Sequence, residues 1–412
     1  MESFIALKSR NFKLFFIGQS VSLLGTWIQK TAIAWLVYKL TGSPFILGLI
    51  VFVGLIPTLL LSPYVGSFIE RCHKYKVMKN TQWLAALQAL LLAILIYLKY
   101  YNITAIVLLS LMQGVINAFD VTCRQAMMID LVDDKAALPN AIALNSAMTN
   151  LARVIGPALA GGLLSAFGED FCFISNFLSF IPVLYCLYLM KLPAFIKNEE
   201  EVNVLNKLKE GFIYVKSEKR ILSQLLLLSF FSLMLIPFTT LLPVLAKEVF
   251  NGNSQTFTIF ESAVGIGALI SAIYMTSLKK MEKLYNSIIL SSIIMGIGLG
   301  IIAFSHTIWL ASIGLVLSGL GMICQSASIN TYIQLHTVPE MRSRVISYYI
   351  MAFLGMTPIG SLIIGLIAEF LNTRTVLLLE GFLGVFSLSL FVWYNYKIEK
   401  ELDTELKIIN EE

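Results

Sequence analysis

Three ionisable residues, Lys30, Arg153 and Glu261, stand inside long apolar runs. A charge left facing lipid costs about 2.5 kcal/mol or more, so such residues are expected to face a polar cavity or one another and to serve function. Lys30 ends a stripe with Gln19, Ser22 and Thr26 at spacings of three, four and four, which puts all of them on one helical face. A polar stripe on an apolar helix suits the wall of a water-filled cavity, with a hydrogen-bonding seam between helices as the alternative. Glu261 is the natural counter-charge to Lys30, since both lie about 10–14 Å from the outer end of their runs at 1.5 Å per residue. An ion pair there would close an outer gate, or the carboxylate would take up a proton as Lys30 receives an anion. A purely structural pair fits the sequence equally well.

Arg153 shares a face with Asn145 and Thr149. Its planar fork suits a carboxylate or catecholate oxygen, and a structural hydrogen-bonding role is the alternative. Ser110, Gln113, Asn117, Asp120 and Arg124 recur at spacings of three and four on another run, so Gln113 and Asn117 join the candidates for substrate or proton contact. Chemistry of other kinds has no sequence support. There is no HExxH, no GxSxG and no GxxxxGK[ST]. The five cysteines show no CxxC spacing and the three histidines sit in loops or at helix ends, so neither a metal nor a cofactor is expected, and the chain does not read as an enzyme.

The elements that must position these residues are twelve apolar stretches, at about 14–38, 46–68, 82–100, 103–124, 140–166, 170–190, 222–246, 255–277, 284–304, 308–333, 344–370 and 374–395, each near the roughly 20 residues that cross a bilayer. Hydrophobic residues make up 57% of the chain and charged residues 13%, which excludes an ordinary soluble domain. The net charge of +5 does not signal nucleic acid, because the positive residues fall in every second loop. Lys8, Arg10 and Lys13, then Arg71, Lys74, Lys76 and Lys79, then the segment Lys191 to Arg220, then Lys279, Lys280 and Lys283, then Arg342 and Arg344, and the tail with Lys397, Lys400 and Lys407 carry most of them. Both termini and the central segment are therefore expected in the cytoplasm.

The fold expected is an all-α membrane protein with two pseudo-symmetric six-helix halves, 1–190 and 221–396. An amphipathic cytoplasmic linker, 191–220, joins them, and a cytoplasmic tail, 397–412, follows. Pro157 and Pro358 correspond when the halves are overlaid, as in parallel repeats about an axis along the membrane normal. Val202, Leu205, Leu208, Phe212 and Val215 give the linker its helical apolar period.

Gly66-Ser67-Phe68-Ile69-Glu70-Arg71-Cys72-His73-Lys74 resembles the loop signature of the major facilitator superfamily. Ala118-Phe119-Asp120 with Arg124-Gln125-Ala126, Leu138-Pro139-Asn140-Ala141, Asn150-Leu151-Ala152-Arg153-Val154-Ile155-Gly156-Pro157, Leu242-Pro243-Val244-Leu245-Ala246 and Met356-Thr357-Pro358-Ile359-Gly360-Ser361 resemble its transmembrane-secretion-effector branch, which includes enterobactin-exporter-like proteins. The resemblance runs from about Asn11 to the last stretch. It implies export of a siderophore or drug across the bacterial inner membrane, driven by protons, with a small-molecule substrate, a lipid bilayer around it, no nucleic acid and a monomeric state. It also implies that Glu70, Arg71, Asp120 and Arg124 form an inner gating network, and that Gly156, Pro157, Gly161 and Gly162 form a helix-packing motif.

Two departures from the family pattern bear on mechanism. Ser110 stands where the family carries an arginine tied to proton transfer, and Gly161-Gly162 is displaced by one residue. Coupling through the usual arginine is therefore not expected here, which points to Glu261. Import or lipid flipping on the same fold, or a membrane sensor that transports nothing, are the alternative functions.

Overall fold

The computed structural model describes residues 2–191, 204–276 and 281–411; the side chains of Glu70 and Arg71, and of residues 401–412, lie outside what is described. Every regular element among the described residues is helical. In chain order these are α1 (Arg10–Thr41), α2 (Pro44–Arg71), α3 (Lys74–Tyr97), α4 (Ile103–Leu131), α5 (Leu138–Ala166), α6 (Glu169–Leu189), α7 (Val204–Ser217), α8 (Lys219–Met234), the short α9 (Leu242–Val244), α10 (Ser254–Thr276), α11 (Met281–Phe304), α12 (Ile308–His336), α13 (Arg342–Ile350), α14 (Met356–Phe370) and α15 (Thr373–Glu411). A 3-10 turn, Ile236–Leu241, leads from α8 to α9, and π-helical turns follow α9 at Leu245–Val249 and α13 at Met351–Gly355.

Local chemistry sets where helices stop. Gly42 takes φ 62°, a left-handed value that a side chain would disfavour, and its N–H closes α1 on Tyr38 O at 2.9 Å. Two residues later Pro44 opens α2, with Ser43 Oγ accepting from Ile46 N at 3.3 Å. Asn102 and Thr307 cap α4 and α12 in the same way.

Among the described residues, ten helical stretches are long and apolar enough to cross a membrane, counting Lys219–Val249 and Arg344–Phe370 as one stretch each. They match ten of the twelve expected spans. The other two, α1 and α5, are helices at the expected places but are not in that set. They are also the helices that carry the Gln19–Lys30 stripe and Arg153. The outward faces are inside-out relative to a soluble bundle: on α15, Phe382, Phe386, Leu390 and Trp393 are exposed while Glu380, Ser387 and Asn395 are buried. That pattern is what a hydrocarbon solvent selects.

The chain forms two compact units. Unit 1 comprises Met1–Val202 with Thr240–Gly265. In it α1 packs on α5 and α6, α3 on α4 and α6, and α2 on α4. Unit 2 comprises Asn203–Thr239 with Ile266–Glu412. In it α11 packs on α12 and α15, and α8 on α14 and α15. The part of the linker segment from Val204 to Ser217 is helical as α7, and it docks on α13. Glu210 pairs with Arg344 at 2.5 Å, and Gly211 leaves room for Arg344 and Tyr348. Val215 is buried, whereas Val202 lies outside the described residues and the side chains of Leu205 and Leu208 likewise.

Candidate functional site

Within unit 1, α10 runs antiparallel to both α1 and α5, and the pairings keep register. Thr31 Oγ1 donates to Glu261 Oε2 at 2.5 Å, and one turn along each helix Trp35 stacks on Phe257 at 5.9 Å. Beyond them the Tyr38 hydroxyl donates to Glu248 Oε1. On the α5 side, a Cβ at Gly161 would fall 2.2 Å from Thr258 Oγ1, and one at Gly265 would fall 3.1 Å from Val154 Cα. Gly156 meets the third helix: a Cβ there would stand 2.4 Å from Trp27 Cβ. Glycines thus let α1, α5 and α10 approach closely enough for their polar groups to meet. Pro157 is buried in the same region. Gly162 departs from the expected packing motif, since nothing lies within 4 Å of a Cβ built on it. One residue of helix turns it about 100° away from the seam that Gly161 faces.

The charged residues gather at Trp27. Lys30 Nζ lies 4.6 Å from the indole centroid and Arg153 Cζ lies 5.6 Å from it. Two cations on one ring are held by its quadrupole rather than by a carboxylate. The expected Lys30–Glu261 ion pair is not formed within 4.0 Å, because Thr31, the next residue, faces α10 and takes the carboxylate. Thr31 holds Glu261 one residue along from Lys30, and Trp27 holds Lys30 and Arg153, so the three charged side chains gather around one turn of α1. Gln19 and Ser22 at the start of the stripe are buried, Thr26 Oγ1 bonds Ser22 O at 2.9 Å, and Lys30 alone of the four is exposed. The cluster holds two positive charges and one negative charge. Its two cations lie beside a flat aromatic surface.

Behind this cluster, on the other side of α1, lies a buried amide network. Gln29 Nε2 donates to Gln88 Oε1 at 3.3 Å, Asn176 Nδ2 donates to Gln29 Oε1 at 2.8 Å, and Gln88 Nε2 donates to Leu109 O at 3.2 Å. It ties α1 to α3, α4 and α6. Paired buried amides fix one packing, since an unpaired one is costly.

The other expected residues lie elsewhere. Gln113 and Asn117 hydrogen-bond to each other at 3.0 Å along α4 and do not join the Trp27 cluster. Ser110 bonds Ile106 O at 2.8 Å. Asp120 accepts from Arg124 at 2.8 Å and from Gln82 at 2.6 Å, and both charged residues are buried. Lys74 reaches Asp130 at 3.3 Å nearby. Glu70 and Arg71 stand at the end of α2, but their side chains are outside the described residues.

Sequence reasoning missed Trp27, Thr31 and Gln82, and it missed Glu380, a fully buried acid in unit 2. An ionisable residue inside the last apolar stretch was the available signal for Glu380. Unit 1 also holds a cavity of about 460 Å³, lined by Trp35, Lys39, Glu169, Lys247 and Asn253 among others, across which Lys39 pairs with Glu169 at 2.6 Å.

The sequence profile described as transmembrane secretion effector matches residues 1–410. The chain is 28% identical to the staphyloferrin A transporter of Staphylococcus aureus over 95% of its own length and 98% of that protein. It is 22% identical to macrolide efflux protein A of Streptococcus pyogenes, over 91% and 94% of the two chains. Among solved structures, a variant of the nucleoside transporter NupG superposes with a TM-score of 0.75 at 14% identity, covering 94% of this chain and 99% of that one. A bacterial homologue of the iron transporter ferroportin gives 0.70 at 17%, covering 93% and 98%. At these identities the structures speak for the fold.

Proposed function

This chain belongs to the transmembrane-secretion-effector family of the major facilitator superfamily, and from that premise we propose that it is a twelve-span exporter of a small anionic or amphiphilic molecule, a siderophore or a drug, driven by inward proton flow. The family and the apolar helices make it a multi-pass membrane transporter. The observation that carries the finer reading is the Trp27 cluster, with Lys30 and Arg153 on one indole and the carboxylate of Glu261 held one residue away by Thr31. An anion entering there gains two cations and an aromatic face without having to displace a preformed ion pair. The staphyloferrin A transporter and macrolide efflux protein A among its relatives agree with a siderophore or drug as cargo.

In this reading the sequence halves 1–190 and 221–396 are six-span repeats joined by 191–220, the protein acts as a monomer in the bacterial inner membrane, and both termini are cytoplasmic. Alternating access moves the cargo. The packing of Thr240–Gly265 against α1 and α5 supports a closed outer gate, made of Thr31–Glu261, Trp35–Phe257 and Tyr38–Glu248. Glu70, Arg71, Asp120 and Arg124 would form the inner gate.

Transport in everted membrane vesicles tests the proposal. An acidic vesicle lumen should drive accumulation of an anionic siderophore, and Lys30→Ala or Arg153→Ala should raise the half-saturating concentration tenfold or more. Accumulation that ignores the proton gradient would remove the coupling. Movement in the opposite direction would make the protein an importer.

A further inference from the structure

Glu380 stands in α15 with no exposed surface, and neither carboxyl oxygen has a hydrogen-bond partner among the described residues. One turn on, Gly384 admits Leu235 to within 2.5 Å of where a Cβ would be, and Gly381 sits 3.5 Å from Gly296 O on the same measure. These contacts put the acid between α11 and the end of α8. The charged and titratable groups on the surrounding helices are occupied or distant. Arg374 gives its Nη2 to Ser305 O at 2.8 Å. Glu369 is exposed near the end of α14. Lys219 and Arg220 begin α8, and Lys283 and Tyr285 begin α11, at the ends remote from the Leu235 and Gly296 contacts. Tyr394, Tyr396 and Lys397 lie several turns further along α15.

The neighbouring backbone is broken. α8 stops at Met234, and the chain continues through the 3-10 turn Ile236–Leu241. Pro237 in that turn has no N–H to return to Leu233 O, and Gly360 of α14 lies against that carbonyl, its Cβ position 2.0 Å away. The division between the two compact units also falls in this turn, at Thr239 and Thr240. Interrupted helices at membrane depth are where transporters bend and where ions meet the chain. A charged carboxylate without a donor or a counter-charge is very costly in such a place, whereas the uncharged acid is not.

We propose that Glu380 is a proton-binding site: it carries a proton in the packing seen here and releases it to water when bending at Leu235–Leu241 opens that packing, so that bending of this span is linked to one proton. The site is separate from Glu261, and it rests on the transport reading only in that the bending belongs to the transport cycle.

Infrared difference spectroscopy of the full-length protein in lipid vesicles gives the first test. Wild type minus Glu380→Gln at neutral pH should show the C=O stretch of a carboxylic acid; a carboxylate stretch in its place would overturn the proposal. The second test follows the bend with a spectroscopic label pair spanning Leu235–Leu241, over a range of pH. One linked proton changes the ratio of bent to straight forms by up to about tenfold per pH unit. Glu380→Gln and Glu380→Leu should both lose that one-proton dependence. If they keep it and change only thermal stability, the residue is structural and the idea fails. Glu261→Gln serves as a separate arm: should it leave proton-driven transport intact, Glu261 loses its coupling role while the Glu380 band and pH dependence stand or fall by themselves.

Discussion

Thr31 Oγ1 donates to Glu261 Oε2 at 2.5 Å, one helical turn inward of the Trp35–Phe257 stack. A neutral hydroxyl therefore holds the carboxylate that its neighbour Lys30 was placed to neutralise. A neutral donor can keep its bond to the group in either protonation state, so the contact between α1 and α10 need not break when a proton arrives. An ion pair would be lost at that moment. In the proposed transport cycle this makes Glu261 a suitable coupling group.

Glu261→Gln keeps the side-chain volume and the bond from Thr31. We expect it to abolish proton-driven accumulation in vesicles while substrate still exchanges down its own gradient. A variant that concentrates substrate at the wild-type level would make Glu261 structural and direct attention to Asp120.

Cysteines at Trp35 and Phe257 should form a disulfide in a background from which the five native cysteines have been removed, all of which are free among the described residues. Oxidation should stop transport and reduction should restore it. Full transport by the oxidised protein would show that α1 and α10 need not part.

Gly161→Ala places a methyl 2.2 Å from Thr258 Oγ1 and 2.9 Å from Thr258 Cβ. Overpacking of this kind costs about 1–3 kcal/mol. The same disulfide should then form more slowly, and Thr258→Ala should recover part of the rate by removing the worst contact. Equal rates in all three proteins would mean that the seam has no share in the gate.

Gln29→Leu leaves the Gln88 acceptor and the Asn176 donor unpaired, at about 1–3 kcal/mol for each orphaned group. Thermal unfolding in detergent should occur at a clearly lower temperature. An unchanged melting point would show that water replaces the amide.

Asp120→Ala strips Arg124 of its partner at 2.8 Å and Gln82 of its acceptor at 2.6 Å. Removing one member of a buried pair costs on the order of 3–5 kcal/mol. Yield of folded protein should fall sharply, with Asp120→Asn intermediate because it still accepts from Gln82. Equal yields of the two variants would show that the charge rather than the hydrogen bond matters.

Ten spans were legible because hydropathy needs only composition over a window, and α2 or α11 supply it throughout. The matched depth of Lys30 and Glu261 was legible for a related reason, since rise per residue is fixed. Their partners were not. A turn of about 100° per residue decides whether Lys30 or Thr31 faces α10, and no local pattern encodes it. Trp27 reads as an ordinary apolar residue until Gly156 is seen to bring α5 beneath it. Gly161 announces a close approach but not that the approaching residue is Thr258. Glu380 was hidden by its neighbours Leu377, Leu378 and Leu379, whose hydropathy swamps a single acid.

The amide network of Gln29, Gln88 and Asn176 separates two tasks that share one helix. Because α1 is anchored through its rear face, changes at Trp27, Lys30 or Arg153 on the other side need not disturb how the bundle folds. In the proposed reading, such a chain can exchange one cargo for another over evolutionary time by point substitutions in the cluster, and an engineer testing its selectivity can vary those three positions together while leaving Gln29 alone.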